Sequence, residues 1–150
     1  MAQRYLHKPF LIDNLKFDLR IYVLITGINP LRAYIFKEGL ARFATEEYQS
    51  PLGSNLNNLC MHLTNYAINK DNEGFIFNED EKRDDVGHKR SLTAAFKSIN
   101  ALRKEKHPSA EEIWKQTKEI ILKTILAGLP NLQHLYKSSK ADDFENSLCF

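Results

Sequence analysis

The segment from Leu15 to Thr26 constrains the fold of this chain more than any other. Its odd-numbered positions from 17 to 25 are all apolar, whereas its even-numbered positions begin with Lys16, Asp18 and Arg20. Successive side chains of a β-strand point to opposite faces, so the alternation predicts a strand with one apolar and one charged face. The β-branched residues near its end also favour a strand over a helix.

The charged face of this strand allows two interpretations. A half-exposed strand would simply keep its charges in water. Alternatively, the strand forms the floor of a cleft and presents a cation, an anion and a second cation at fixed spacing. Such a row would suit a polyphosphate nucleotide, because cations bind phosphates and a carboxylate accepts hydrogen bonds from ribose hydroxyls.

The composition is that of an ordinary globular chain. Its 150 residues are 43% hydrophobic and 27% charged, and they are enough for one domain with its own core. No run reaches the length of a membrane span, and no signal peptide is recognisable. Cys60 and Cys149 stand in apolar settings without zinc-site spacing, which favours a reducing, intracellular compartment.

The charge distribution is informative only locally, because the net charge is +2. Between His88 and His107, six basic residues accompany one acidic residue, Glu105. A run of this kind is usually a solvated face. The alternative is a surface that attracts an acidic polymer.

The first half of the chain predicts an antiparallel β-meander. We expect strands at residues 3–6, 15–26, 31–36 and 40–45, with turns at 27–30 and 37–39. After a loop rich in Ser, Asn, Pro and Gly, the segment CMHLTNYAI predicts an ordered stretch.

The second half predicts two helices. The first spans residues 91–104 with Ser91 as a candidate cap, and the second opens at Pro108-Ser109 with two acidic residues in its first turn. We expect a kink or an end at residues 128–130, and a core stripe along the second helix. The stripe consists of Ile113, Trp114, Thr117, Ile120, Ile121, Thr124, Ile125 and Gly128.

Both ends of the chain are abrupt. The last residues, SLCF, have the pattern of a buried strand that is just beginning. We therefore expect a fragment of a larger catalytic module, truncated at both ends.

Four short segments occur in a specific order: QRYL, KFDLR, GLAR and HLTNYAINK. Together they resemble the tubulin tyrosine ligase-like family, whose catalytic module has the ATP-grasp fold. KFDLRIYVL and HLTNY are similar to the glutamate-adding branch, the polyglutamylases that act on tubulin tails in cilia. The resemblance implies an α+β (α/β) fold with an antiparallel β-meander under the nucleotide and two C-terminal helices. It also implies one partial catalytic domain over residues 1–150, without a second domain.

The resemblance implies an ATP site. The segment at residues 3–6 would lie beside the adenine, Asp18 would bind the ribose hydroxyls, and Arg20 would lie near the terminal phosphate and the reacting carboxylate. The implied ATP contacts are Gln3, Arg4, Tyr5, Leu6, Lys16, Asp18, Thr64 and Asn65.

A second implied site binds the incoming amino acid. Its residues are Arg42, Tyr66, Ala67 and Lys89. Arg42 suits bidentate contact with a carboxylate, and Lys89 suits the side-chain carboxylate of glutamate. Family members often have serine where this chain has Ala67, which weakens a hydroxyl contact and leaves a main-chain contact possible. Arg20 and Arg42 are the implied catalytic residues.

The implied reaction joins free L-glutamate to a glutamate side chain of a tubulin tail, using ATP and an acyl phosphate. Mg²⁺ would bridge the phosphates, and its ligands are expected beyond residue 150, so the fragment alone should be inactive. The implied partners are tubulin and microtubules, whose acidic tails would be attracted by Lys97, Arg103 and Lys104. We expect a monomer in the cytoplasm and cytoskeleton, at the cilium or basal body, with neither nucleic acid nor membrane as a partner.

Several alternatives remain open from the sequence. The parent protein could be a non-catalytic microtubule-binding relative or a glycine-adding ligase of the same family. The preference for α- or β-tubulin, and for starting or extending a branch, is undetermined. His62 is interpreted as a structural histidine rather than a catalytic base, and the other histidines lack metal-ligand spacing.

Overall fold

The structure is a computed structural model, and it describes residues 2–80, 83–104 and 107–139. These residues form an α+β fold, as expected. The elements are β1 (Phe17–Ile28), β2 (Leu31–Phe43), α1 (Leu59–His62), α2 (Tyr66–Asn69), β3 (Lys89–Ser91), α3 (Leu92–Leu102) and α4 (Ala110–Ser139). None of the helices in these ranges has the length and apolar character needed to span a membrane.

The three strands form one sheet in the order β1-β2-β3. A tight connection at residues 29–30 joins β1 to β2, as the sequence predicts. The third strand comes from much later in the chain. It pairs antiparallel with the end of β2, with Leu40 opposite Ser91 and Arg42 opposite Lys89.

Two predicted features of the meander are wrong. Residues 3–6 form no strand, and β2 continues through residues 37–39 without a turn. The Glu38 carboxylate is instead used to cap a helix, because it accepts hydrogen bonds from the main-chain N–H of Thr93 at 3.2 Å and of Gly39 at 2.9 Å. Residues typical of a turn therefore sit inside a strand, next to the first turn of α3.

Both helices begin close to the predicted positions, and α3 has the predicted serine cap. In α3, the Ser91 hydroxyl accepts a hydrogen bond from the main-chain N–H of Ala94 at 2.9 Å. In α4, Ser109 and Glu112 form a reciprocal capping box: the Ser109 N–H donates to the Glu112 carboxylate at 2.6 Å, and the Glu112 N–H donates to the Ser109 hydroxyl at 3.2 Å. These local contacts satisfy N–H groups that have no partner inside the helix.

Of the two alternatives predicted for residues 128–130, an end or a kink, the end is wrong, because the helix runs through Pro130 to Ser139. One tertiary contact beyond the proline supports the last turns: the Gln133 side chain donates to the main-chain oxygen of Ile28 at 3.5 Å. The predicted core stripe also holds only in part, since Ile120 is 63% exposed.

The chain divides into two compact units, residues 1–20 with 38–102 and residues 21–37 with 103–150. In the first unit, Phe43 and Leu92 are buried with Ile12 and Ile99, and the Phe17 ring stacks on Phe43 with centroids 5.5 Å apart. This core supports the ends of β1 and β2 and all of β3. The segments at 3–6, 16–20, 39–42 and 62–70 belong to this first unit.

Candidate functional site

A row of three charged residues crosses the sheet in the first unit. Asp18 lies on β1, Arg42 on β2 and Lys89 on β3. Arg42 Nε donates to Asp18 Oδ1 at 3.0 Å, and a second guanidinium nitrogen of Arg42 bonds the other carboxylate oxygen. The pair is therefore bidentate, with side chains that are 27% and 37% exposed for Arg42 and Asp18.

Arg42 and Lys89 stand directly opposite each other on neighbouring strands. Like charges in this position repel each other and destabilise a sheet. Two contacts offset the repulsion: Asp18 pairs with Arg42, and the Lys89 ammonium lies 3.6 Å from the centroid of the Tyr66 ring. With two cations and one carboxylate, the row keeps a net positive charge.

A narrow crevice adjoins this row, and we call it the sheet crevice. It brings together side chains that are distant in sequence. Its lining residues are Arg42, Phe43, Thr64, Tyr66, Asn69, Phe75, His88 and Lys89. Three of the four residues predicted to bind the amino acid thus share one crevice, together with Thr64, which we assigned to ATP. The fourth, Ala67, is exposed on α2.

A larger and more open cavity of about 820 Å³ lies near the chain start, and we call it the N-terminal cleft. Its lining comprises Gln3, Arg4, Tyr5, Leu6, His7, Lys8, Pro9, Lys16 and Phe17. All four residues of the 3–6 segment therefore line the same cavity as Lys16. A cavity of this size is within the range of small-molecule sites, about 300–1,000 Å³.

The comparison with protein families decides the assignment. The model of the tubulin-tyrosine ligase family matches residues 1–146. The chain belongs to the tubulin-tyrosine ligase family. The resemblance seen in the four sequence segments is thereby confirmed.

Individual members of the family are similar over nearly the whole chain. It is 52% identical over 150 residues to a "Probable beta-tubulin polyglutamylase" of Tetrahymena thermophila, covering 100% of this chain and 12% of the relative. It is 49% identical over 139 residues to the mouse "Tubulin polyglutamylase TTLL13", covering 92% of this chain and 16% of the relative. The mouse "Tubulin monoglutamylase TTLL4" is 44% identical over 137 residues, which cover 91% of this chain and 11% of that relative. The chain thus spans between about a tenth and a sixth of these relatives.

Asn69 is a buried residue that the sequence reasoning missed. Its amide oxygen accepts hydrogen bonds from the Thr45 N–H at 2.9 Å and hydroxyl at 2.7 Å. Its amide nitrogen donates to the main-chain oxygens of Leu63 at 2.8 Å and Asn65 at 3.0 Å. All four bonds available to this amide are made, so Asn69 fixes residues 63–65 to the end of β2. In the sequence, the signal for this role was that the asparagine lies within the family segment HLTNYAINK.

His88, in the wall of the sheet crevice, was also missed. It is 6% exposed, its Nδ1 accepts a hydrogen bond from the main-chain N–H of Ile76 at 2.9 Å, and its ring stacks on Phe75. Burial lowers the pKa of His88, and the positive charge of Arg90 adds to the effect. The ring is therefore neutral at neutral pH.

The other predicted ATP residues lie apart from the N-terminal cleft. Asp18 is in the row across the sheet, and Arg20 is exposed two positions further along the same face of β1. Asn65 precedes α2, where its main-chain oxygen accepts hydrogen bonds from the N–H groups of Ile68 and Asn69, both at 3.1 Å. The nucleotide roles of these residues stay predictions.

The basic run between residues 88 and 107 is not one uniform surface. Arg90 is largely buried: its guanidinium pairs with Asp13 at 2.7 Å and lies 4.3 Å from the centroid of the Phe43 ring. Lys97 is exposed on α3, and Arg103 and Lys104 are exposed residues of the second unit. Glu105, Lys106 and Cys149 lie outside the described residues.

No metal site is evident in the part of the chain that the structure describes, residues 2–80, 83–104 and 107–139. Within these ranges, no three His, Cys, Asp or Glu side chains are grouped so that they could hold a metal ion. Cys60 is a partly buried free cysteine.

Proposed function

We propose that the chain is part of the catalytic domain of an ATP-dependent ligase that adds L-glutamate to the C-terminal tails of tubulin. The observation that carries the proposal is the pairing of Arg42 with Lys89 across two strands, in one crevice. Two cations placed side by side suit a ligand with two carboxylates, which glutamate has. The names of the relatives, polyglutamylase and monoglutamylase, support the same amino acid.

Arg42 is the proposed partner of the α-carboxylate, since its planar guanidinium can bond both carboxylate oxygens. Lys89 is the proposed partner of the side-chain carboxylate. In this structure the Lys89 ammonium lies over the Tyr66 ring. That contact contributes about 0.5–2 kcal/mol, and an ion pair with a ligand carboxylate can replace it. Ala67 would contribute a main-chain contact. Glycine lacks the second carboxylate, so this arrangement favours glutamate over glycine.

The N-terminal cleft is the proposed place for the adenine of ATP. Main-chain groups of the 3–6 segment would pair with the base, and the Lys16 ammonium, a compact positive charge, would bind a phosphate. A carboxylate has about four acceptor positions, so Asp18 can hold Arg42 and a ribose hydroxyl at the same time. Asp18 would thus connect the nucleotide to the amino-acid site, which Thr64 also borders.

The proposed reaction has two steps. An oxygen of the tail glutamate γ-carboxylate attacks the terminal phosphorus of ATP, and the bond to ADP breaks to leave an acyl phosphate. The amino nitrogen of free glutamate then attacks the acyl carbon, a C–N bond forms, phosphate leaves and the nitrogen loses a proton. Arg20 would stabilise the charge on the transferred group, while Arg42 and Lys89 would orient the amine. Mg²⁺ bound to ATP would neutralise phosphate charge, and no described residue is assigned to it.

The proposal extends to the setting in which the ligase acts. An acidic tubulin tail would be attracted by Lys97, Arg103 and Lys104, which are exposed. We expect a monomer acting on microtubules in the cytoplasm, at the cilium or basal body, with no nucleic-acid or membrane partner.

The test is ligation of labelled glutamate and labelled glycine to a tubulin-tail peptide by the full reading frame that encodes this chain. Lys89→Ala should reduce the use of glutamate on the order of tenfold and change any residual use of glycine little, because only glutamate has the second carboxylate. Lys123→Ala, which removes an exposed lysine of α4, is the matched control. A parallel fall for both amino acids would assign Lys89 a structural role, and no ATP-dependent ligation by the unaltered protein would refute the proposal.

A further inference from the structure

His62 joins two walls of the N-terminal cleft through two separate groups. Its ring Nδ1 is 2.7 Å from the Tyr5 hydroxyl, and its main-chain oxygen accepts a hydrogen bond from Lys16 Nζ at 2.8 Å. Tyr5 and Lys16 both line the cleft, whereas His62 is only 6% exposed. One buried residue therefore contacts the 3–6 segment and Lys16, the residue that directly precedes β1.

The direction of these hydrogen bonds follows from the partners of the ring. His62 Nε2 lies 3.1 Å from the main-chain oxygen of Asn55, and a carbonyl oxygen can only accept. Nε2 must therefore carry the hydrogen, and in this tautomer Nδ1 accepts from the Tyr5 O–H. Asn55 is itself held in its loop, because its side chain bonds Leu52 N–H at 2.8 Å and Ser50 oxygen at 3.0 Å.

The two groups held by His62 are also close to each other. Lys16 Nζ donates to the Tyr5 hydroxyl at 3.4 Å and lies 4.8 Å from the centroid of the Tyr5 ring. The Tyr48 ring meets the His62 ring edge-on, with centroids 6.2 Å apart, and burial raises the pKa of the Tyr48 hydroxyl. Tyr5 and Tyr48 thus contact the imidazole of His62, and Lys16 contacts the main chain of the same residue.

We propose that His62 is a positioning residue of the N-terminal cleft: through Tyr5 and Lys16 it fixes the adenine side and the phosphate side of the cleft relative to each other. The inference rests on the proposed binding of ATP in this cleft. A long lysine and a tyrosine lose rotamer freedom when a ligand binds. If His62 has already ordered both side chains, ATP does not have to supply that ordering, so it binds more tightly.

Two substitutions of His62 separate its ring contacts. Asparagine carries its amide oxygen on Cγ, as histidine carries Nδ1, so His62→Asn can still accept from Tyr5. Glutamine carries its amide nitrogen one bond further out, near Nε2, so His62→Gln can still donate to Asn55 and loses the Tyr5 contact. Tyr5→Phe removes the same hydrogen bond from the other side with little change in shape.

The experiment measures the Kd and KM for ATP, the KM for glutamate and the melting temperature, in the full reading frame that encodes this chain. Tyr5→Phe and His62→Gln should each raise the Kd for ATP about threefold to tenfold, the range expected for one hydrogen bond, with little change in the KM for glutamate. The double variant should be no worse than either single variant, since both remove the same bond. His62→Asn should stay closer to the unaltered protein.

Tyr34→Phe is the matched control, because it removes the hydroxyl of a tyrosine of the second unit that is 60% exposed and does not line the N-terminal cleft. It should leave the Kd for ATP unchanged, alone and in combination with His62→Gln. A lower melting temperature with an unchanged Kd for ATP, or additive effects of Tyr5→Phe and His62→Gln, would overturn the positioning role. Absence of ATP binding by the unaltered protein would instead refute the proposed function.

Discussion

Single residues connect the two proposed binding sites, and Arg42 is the clearest example. Its guanidinium bonds Asp18, which we assign to the nucleotide, and it lies in the sheet crevice, which we assign to the amino acid. The contact places a carboxylate beside a cation in a partly exposed setting, where water can replace either partner. The two proposed sites are therefore adjacent, yet a substitution of Arg42 can lower glutamate binding without lowering ATP binding.

We predict that Arg42→Ala lowers the affinity for glutamate about tenfold to a hundredfold and leaves ATP binding largely intact. A charge-assisted bidentate contact contributes about 1.5–3 kcal/mol, whereas the remaining Asp18 carboxylate can be solvated. Calorimetry with ATP alone and with glutamate alone measures the two affinities. Arg42→Lys is the control variant, because it keeps the positive charge and loses the bidentate geometry of the guanidinium. Equal losses for both ligands would contradict the division of roles.

His88 predicts a pH-dependent stability. Burial lowers its pKa in the folded chain, whereas the pKa of a histidine in an unfolded chain is about 6.5. Its contribution to stability is therefore complete above about pH 6.5 and is lost as the pH falls through the lower folded pKa. Urea unfolding of the chain at pH 7.5 and pH 5 should show this loss, and His88→Asn, which can keep an acceptor for the Ile76 N–H without titrating, should reduce it. The same pH dependence in that variant would exclude His88 as the cause.

At the scale of secondary-structure elements, the geometry of the candidate site depends on the contacts that attach two very short helices to the sheet. The helices α1 and α2 have four residues each, too few to be stable by themselves. Asn69 supplies part of the missing stability, since its amide bonds both the Thr45 segment and the turn between the two helices. The position of Thr64 and Tyr66 beside the sheet follows from these contacts.

We predict that Asn69→Leu destabilises the chain by about 2–4 kcal/mol, because several buried polar groups lose their partner at once. Thr45→Val should cost less, since it removes only the hydroxyl bond to the Asn69 amide oxygen and leaves the three main-chain bonds of that amide. The free energy of unfolding in urea measures both effects. Similar values for the two variants would show that the three main-chain bonds contribute little.

At the scale of the whole molecule, charge on exposed segments would govern the encounter with an acidic tail. We predict that reversal of Lys97, Arg103 and Lys104 to Glu raises the apparent KM for microtubules and leaves kcat and the KM for ATP nearly unchanged. The difference should shrink as salt is added, because exposed charges are screened over about 8 Å at physiological ionic strength. Lys89 and Arg90 are not changed, since the first is assigned to the crevice and the second pairs with Asp13.

The matched control reverses Lys115, Lys123 and Lys137, which are exposed on α4, so that the net charge changes equally. Steady-state kinetics at several salt concentrations compares the two triple variants. If both raise the KM alike, only the net charge matters. If neither does, these residues serve solubility alone, and the attraction of the tail to Lys97, Arg103 and Lys104 is refuted.

Features that depend on neighbouring residues could be predicted from the amino-acid sequence. The alternation in residues 15–26 predicted β1 and its charged face, Ser91 predicted the cap of α3, and Pro108-Ser109 predicted the start of α4. The order of the four segments indicated the family. Periodicity and capping are local: they depend on residues within a turn or two, so they can be read from the chain directly.

Contacts between residues that are distant in sequence could be established from the folded structure alone. It placed β3 rather than residues 3–6 in the sheet, set Arg42 opposite Lys89, and connected Tyr5 to Lys16 through His62. In the folded chain Glu38 caps a helix where a turn was predicted, and α4 continues past Pro130. The physical reason is that pairing, burial and long-range hydrogen bonds depend on packing between segments, and packing overrides the weak local preferences of Gly, Glu and Pro.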